Sequence, residues 1–289
     1  MAATADIVVG LPTRQVVRRE RWGVLLRSPT FLIGSGIVAF WLLCAAIGPL
    51  LIKDPYLPDI LNKLKPPSAA NWFGTDALGR DVFARVVAGA RGILIVAPLA
   101  TLLGTILGTT IGLVAGYFLG LVDEILMRVV DAFLAIPVVI TGMLALVALG
   151  PSNVTVIIVI GVVFTPLIAR TVRAAVLQER QLEYVQAGNL RKENAFYMMF
   201  SEILPNVMGV VIVEFTVRLG YAIFITATLS FLGFGIQPPA PDWGLTIFSH
   251  YGYINGGYWW PVLFPALAIA SLVVGVNLAS DGMRQALER

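Results

Sequence analysis

Residues 132–169 read AFLAIPVVITGMLALVALGPSNVTVIIVIGVVFTPLIA, with no Asp, Glu, Lys or Arg anywhere in the run. A helix needs about 20 apolar residues to cross a bilayer core, so this run is long enough for two crossings. Gly150-Pro151-Ser152-Asn153 divides it, and residues of these types mark tight turns. The reading is therefore two helices, about Met127–Leu149 and Val154–Ala174, returning directly across a membrane. Transmembrane β-strands would show alternating segments of about ten residues, and none is seen here.

Working outward, charge is also absent from 28–52, 92–122, 219–241 and 243–280. These gaps place four more spans at about Phe31–Ile52, Ile93–Phe118, Val207–Leu229 and Pro261–Ala279. The expected fold is an all-α integral membrane protein of six transmembrane helices. The composition agrees: 58% of the 289 residues are hydrophobic and 13% charged, against roughly 25% charged in a soluble domain. A soluble enzyme, a nucleic-acid binder, a disordered chain and a secreted disulfide scaffold are all excluded. Cys44 is the single cysteine, so no internal disulfide forms; it reads as a small hydrophobe in mid-span.

The net charge of +3 matters less than its placement. Arg14, Arg18, Arg19, Arg21 and Arg27 make the 1–30 arm basic, which by the positive-inside rule puts it in the cytoplasm. No small-residue cleavage site follows the first apolar run, so that span is expected to stay as an anchor. Counting crossings makes 53–92 and 230–260 external, the 176–206 island and the 280–289 tail cytoplasmic, and 93–279 the transmembrane core. Both termini are then cytoplasmic. Trp243, Tyr251, Tyr253, Tyr258, Trp259 and Trp260 in the second external segment are expected to form an interfacial aromatic belt.

Gly104, Gly108, Gly112, Gly116 and Gly120 recur every four residues in the second span, a stripe on which another helix can approach backbone to backbone. Four residues overshoot a 3.6-residue turn by about 40°, so a crossing or curved partner is expected. The chemistry of an enzyme is missing. There is no phosphate-binding GxxxxGK[ST] loop, no HExxH, no CxxC and no Gly-x-Ser-x-Gly, and the one histidine, His250, is too little for a metal site. Any energy input is expected from a partner. The island LEYVQAGNLRKENAFYMMFSEILPN (182–206) spaces Leu190, Phe196, Met199, Phe200 and Ile203 at helical intervals before Pro205 ends the segment. An amphipathic element of this kind suits docking of a soluble partner.

Five separated motifs carry a resemblance. FGTDALGRDVFARVVAGAR (73–91) resembles LGTDxLGRDxxSRxxxGxR, and MRVVDAFLAIP (127–137) resembles MRxxDxxxxxP. The island matches an EAA loop, EYVEAAxxxG…LPN, in register from Glu183 to Asn206. SFLGFGIQPPAPDWG (230–244) resembles SFLGLGxxPPxPxWG, and NLASDGMRQALE (277–288) adds the NLxGDxLRDxLD tail motif. Together they identify the chain as similar to the C-type permease subunits of the dipeptide/oligopeptide/nickel class of bacterial ABC importers. The resemblance implies a type I ABC importer permease fold in the bacterial cytoplasmic (inner) membrane. Expected partners are a homologous six-helix permease, two P-loop ATPase subunits, an extracytoplasmic substrate-binding protein and membrane lipid, with no nucleic acid. No cofactor is expected on this chain, and ATP and Mg belong to the ATPases.

The resemblance assigns ATPase coupling to Glu183, Tyr184, Gln186, Ala187, Gly188, Leu190 and Lys192. Among the departures from the pattern, Gln186 replaces a glutamate and Lys192 replaces the glycine that turns the loop. With Lys192 there, the turn is expected to rest on Asn194 or Asn189, which tolerate left-handed backbone. Thr226 stands where many relatives carry an acid.

Glu214 and Arg218, one turn apart at mid-bilayer depth, either line the solute path with Thr226 or satisfy each other as an i,i+4 ion pair. Arg128, Asp131 and Pro137 read as structural or gating residues. Asp76, Arg80, Asp81 and Arg85 are either an internally bridged segment or a dock for the binding protein. Peptide import is the principal reading, with nickel, glutathione or another small solute as rivals within the class. An ion-gradient-driven secondary transporter or channel would show inverted repeats and broken helices.

Overall fold

A computed structural model of the chain describes residues 28–287, with side chains through 285. The five arm arginines and Arg289 lie outside these residues. Among the described residues the regular structure is helical, apart from one isolated bridge between Thr75 and Asp81.

Helix α1, Pro29–Leu51, starts where Ser28 Oγ accepts the Phe31 N–H and Pro29 takes the first turn, where a missing N–H costs nothing. Helix α2 runs Val82–Phe118 behind an Asp81 cap whose carboxylate accepts the Ala84 N–H at 3.0 Å. This corrects the expected start at Ile93, because the motif residues 82–91 are themselves the first turns of the helix. At 1.5 Å per residue its 37 residues span about 55 Å, well beyond the hydrocarbon thickness.

The third span is not one helix. Helix α3, Gly120–Leu134, and helix α4, Val138–Leu149, meet at 87°. Pro137 explains the break. It has no N–H to continue the ladder, and it disfavours helical backbone at Ile136 before it. Helix α5 covers Asn153–Glu179 after the predicted turn at 150–153, with Ser152 as its cap. Helix α6 is Glu183–Leu190, and helix α7 runs Ala195–Phe231 without interruption.

Pro205 therefore does not end the island, which is a further correction. A π-helical turn over Met198–Ile203 precedes it, and the widened turn relieves the crowding a proline ring imposes on the carbonyl one turn back. Helix α8, Trp243–His250, and helix α9, Trp260–Leu287, complete the chain. Five helices (α1, α2, α5, α7 and α9) are long and apolar enough to cross a membrane, and α3 with α4 supplies a sixth, bent span.

The glycine stripe is the main seam, and it is used within the chain. β-Carbons built on Gly104, Gly108 and Gly112 would lie 2.8, 2.8 and 2.7 Å from the carbonyl oxygens of Gly161, Thr165 and Ala169, and one on Gly116 would lie 2.7 Å from Val176. Each step of four on α2 is matched by a step of four on α5. The two seams drift at the same rate, so the helices keep contact only by wrapping round one another. Gly120 is no part of the seam. A β-carbon built on it would meet nothing within 4 Å, and with φ +56° it makes the turn into α3. On the other side α1 lies along α9. Gly34 meets the backbone of Gly275 and Leu278, and Trp41 Nε1 donates to Ser271 Oγ at 3.0 Å.

Candidate functional site

The island is a closed lever between α5 and α7. Helix α6 buries Val185 and Gly188 against Met198, Met199 and Ile203 of the π turn. A β-carbon on Gly188 would come within 2.6 Å of the Met198 sulfur, the tip of a flexible side chain that would have to shift to make room.

Lys192 itself makes the turn, with φ +59°, rather than Asn189 or Asn194. Its N–H donates to Asn189 O at 3.0 Å and the Glu193 N–H donates to Gly188 O at 3.2 Å. These two bonds are a Schellman closure with lysine in the left-handed position that glycine usually fills. Asn194 takes a different role, capping α7 by accepting the Phe196 N–H at 2.8 Å.

Tyr184 ties three elements. Its hydroxyl donates to Glu179 Oε1 at the end of α5 at 2.8 Å and accepts from Asn206 Nδ2 of α7 at 3.0 Å. Burial, and then the bond to Glu179, push its pKa up to about 12, so the phenol stays protonated and keeps its donor. Gln186 Nε2 donates back to Gln181 O at 3.0 Å, and Ala187 O receives the Arg191 N–H. Glu183, Gln186 and Lys192 stay on the surface. Leu190 (84% exposed) and Phe196 (66%) stand beside them largely uncovered, with Phe196 resting on the Phe200 ring at 4.5 Å.

Charges pair next to the lever. Arg173 of α5 grips Asp123 of α3 through two nitrogens at 2.5 and 2.6 Å, a fork the sequence reading missed. Asp131 pairs with Arg170 at 2.5 Å and Arg128 with Glu124 at 3.4 Å, so neither Arg128 nor Asp131 is the other's partner.

In α7, Arg218 Nε lies 3.0 Å from Glu214, with both side chains mostly buried, and the guanidinium sits over the Tyr221 ring at 5.8 Å. A cavity of about 390 Å³ lies beside this pair, between Gly220, Tyr221 and Phe224 of α7 and Asn277, Ser280 and Asp281 of α9. Those α9 residues belong to the tail motif, and only that motif could have pointed to them. Thr226 is buried, and its hydroxyl has no partner among the described residues.

At the far end of the helices, 75–85 and 230–260 form one interlocked cap. Asp76 is fully buried, accepting Arg80 Nε at 2.7 Å with Arg85 Nε at 3.8 Å. Arg85, also buried, donates to Pro55 O and Ala240 O, both at 3.1 Å. Asp81 caps α2, as described above. Asp76 and Arg85 thus face inward and hold the segment together.

Trp243 and Trp260 are likewise not belt residues. They are buried, and their indole N–H groups donate to Val86 O and Thr75 O. Tyr251, Tyr253 and Trp259 remain exposed. His250 bridges the two segments: its Nδ1 donates to Thr246 O at 2.7 Å, and its Nε2 accepts the Ala77 N–H at 3.3 Å. Only the neutral ring protonated on Nδ1 satisfies both bonds. Burial lowers the His250 pKa and raises that of Asp242, which caps α8. No cluster of metal-ligating side chains occurs among the described residues.

A helical body with apolar, membrane-length spans, a compact island between two of its long helices and an interlocked cap at the opposite end fit the permease subunit of a transporter. Comparison with known proteins agrees. Residues 108–289 match the family model described as binding-protein-dependent transport system inner membrane component, and the chain belongs to that family.

It is 37% identical over 271 residues to the dipeptide transport system permease protein of Bacillus subtilis (strain 168), covering 93% of this chain and 85% of that one. The oligopeptide transport system permease protein of the same organism is 36% identical, over 89% and 84% of the two chains. The probable D,D-dipeptide transport system permease protein of Escherichia coli (strain K12) is 35% identical, over 92% and 89%. The fold resembles the MetNI methionine ABC transporter in inward-facing conformations, with TM-score 0.58 and 19% identity, over 71% of this chain and 97% of that one. The chain is therefore a multi-pass inner-membrane permease component with a type I ABC importer permease fold.

Proposed function

We propose that the chain is one of two homologous permease subunits of an ATP-driven peptide importer. In this reading it carries no catalytic chemistry itself and couples through residues 182–206 to one of two P-loop ATPase subunits that bind ATP and Mg. Both termini lie on the cytoplasmic side with the lever, and the cap at the other end receives solute from a binding protein. The observation that carries the reading is the construction of the lever. Tyr184 joins α5, α6 and α7 in one knot, while Leu190 and Phe196 stay largely uncovered on the outside. A force on that apolar face would move two transmembrane helices together, which is what coupling requires.

Glu214 and Arg218 neutralise each other beside the α7–α9 cavity and are proposed to set its field rather than to bind solute as free charges. Arg128, Asp131 and Pro137 are proposed to hold the bend of the third span. Peptide is favoured as solute by the names of the relatives and by no side chain on this chain.

The test is affinity purification of the full chain from its native membrane, followed by reconstitution. Two P-loop ATPases and a second six-helix chain should accompany it, and uptake of di- or oligopeptides should need ATP and the binding protein. Purification alone with intact, ion-driven transport would overturn the proposal. Nickel or glutathione on the associated binding protein would overturn only the solute.

A further inference from the structure

An apolar groove of about 400 Å³ runs down the outside of the molecule where α1 and α2 meet, and its shape and charges specify an occupant. Phe40, Cys44, Ile47 and Leu51 of α1 form one wall, and Phe83 and Val87 of α2 form the other. Gly48 lets the helices close at its floor, where a β-carbon would collide with Val87. From Phe40 to Leu51 the helix rises about 16 Å, close to the half-thickness of a bilayer core of about 30 Å. The groove is thus one leaflet deep, and it opens at the end of α1, where the apolar run stops and Lys53 follows.

Trp72, 65% exposed and packed on Phe83 at 5.0 Å, stands at this mouth as an interfacial aromatic does. A second hollow of about 220 Å³ continues from the groove, sharing Leu51, Trp72 and Phe83, and it adds one charge of each sign, Lys53 and Asp81. Lys53 Nζ donates to Ala70 O at 2.6 Å and to Asn71 Oδ1 at 3.0 Å. An ammonium has three donors, and Asp81 Oδ2, at 3.7 Å, is too far to take the third. Asp81, which also lines the hollow, uses Oδ1 to cap α2 and turns Oδ2 toward Lys53 in this long ion pair, so neither charge is fully satisfied by the other.

We propose that this groove binds one phospholipid with a zwitterionic amine headgroup. One acyl chain lies between α1 and α2, the phosphate takes the spare Lys53 donor, and the lipid ammonium faces Asp81. A purely anionic headgroup would satisfy Lys53 and meet Asp81 as a like charge, so the pair selects for the zwitterion. An annular lipid, by contrast, has no charge preference and exchanges on detergent extraction.

The test is native mass spectrometry of the full chain, alone and in its assembled complex, delipidated and then titrated with phosphatidylethanolamine or phosphatidylglycerol. Expected is one tightly retained phosphatidylethanolamine, bound at least about tenfold better than phosphatidylglycerol, with that preference lost in Lys53→Gln. Cys44→Phe, which fills the groove, should abolish retention. Cys44 also allows a test without substitution, since maleimide should modify it more slowly as phosphatidylethanolamine is added and not as phosphatidylglycerol is added. Equal retention of the two lipids, no effect of Lys53→Gln, or a groove found dry and covered by another subunit in the complex would each overturn the proposal.

Discussion

Gly112 and Gly36 offer a paired perturbation in which one chemical change should act with opposite signs. Alanine at Gly112 would place its β-carbon 2.7 Å from Ala169 O, 2.8 Å from Val172 Cβ and 2.9 Å from Arg173 N. None of these is the tip of a flexible side chain, so α5 as a whole must retreat by about 0.7 Å to restore ordinary contact. Over-packing of this kind costs about 1–3 kcal/mol. The shift also loosens Gly108 and Gly116, which share the seam, so the upper half of that range is expected.

At Gly36, in the middle of α1, a β-carbon meets nothing within 4 Å. There the change from glycine gains about 0.5–1 kcal/mol of helix propensity. Thermal unfolding of the two purified variants in one detergent is the assay. G112A should melt below the wild type and G36A at or slightly above it. A shortened glycine-to-alanine scan at Gly104 and Gly108 should follow G112A. If G112A were as stable as the wild type, the backbone-to-backbone account of the α2–α5 seam would be refuted.

At Lys192, substitution by glycine should relieve about 1 kcal/mol of left-handed strain, slowing amide exchange over 188–194 by about fivefold. Unchanged exchange would show that the lysine is not strained. Tyr184→Phe removes two hydrogen bonds of about 1 kcal/mol each; ATPase subunits should still co-purify, while transport per ATP hydrolysed falls, and unaltered coupling would count against the lever.

His250 is the only histidine in the chain, and burial lowers its pKa. Its contribution to stability is therefore present above about pH 6.5, the unfolded value, and is lost as pH falls through the folded value. Melting profiles between pH 7.5 and 5 should lose part of their acid-side decline in H250Q. Asp242, shifted upward, works in the opposite direction and is common to both proteins; identical profiles would remove His250 from the account. Arg218→Leu strands the Glu214 carboxylate and should cost about 3–5 kcal/mol, whereas Glu214→Gln with Arg218→Leu should cost less and assemble with reduced uptake. Full uptake by the double variant would show the pair to be structural only.

Much of this architecture was legible because a bilayer simplifies the physics. Charge is so costly in hydrocarbon that long charge-free runs mark the crossings, with Glu214 and Arg218 of α7 tolerated as a mutually neutralising pair. Every such run overlaps a helix long and apolar enough to cross a membrane. The boundaries were less legible, for a reason visible at 82–91. Asp81, Arg85 and Arg91 made that stretch read as a polar segment, yet a helix needs only a cap and an absence of breakers, and Asp81 supplies the cap. Composition reports where a helix meets lipid, not where it begins. Pro137 and Pro205 show the same limit from the other side. Both carry the same local penalty, but one stands at an 87° break and the other passes inside a continuous helix just after a π turn, as Pro49, Pro98, Pro166 and Pro265 pass inside theirs without one.

The site charges were the hardest to place. Asp76, Arg80, Asp81 and Arg85 look in sequence like a solvated patch of alternating sign. In the structure Asp76 and Arg85 lie at the centre of the cap, where Arg85 draws the carbonyls of Pro55 and Ala240 onto one guanidinium. Such partners are separated by 30 and 155 residues, and no local spacing encodes them.

Lys192 shows what a departure from a family pattern means physically. The island needs a left-handed residue where its short helix closes, and that requirement belongs to the backbone, since both Schellman bonds are formed by main-chain groups. With lysine in the left-handed position the turn does not lie at either of the more tolerant asparagines, where it would break those two bonds and pull Gly188 away from Met198. The strain stays on Lys192 because moving it would cost more contacts than it relieves. The geometry of the lever is therefore set by its packing, and a residue's intrinsic preference at the turn only changes how stiffly that geometry is held.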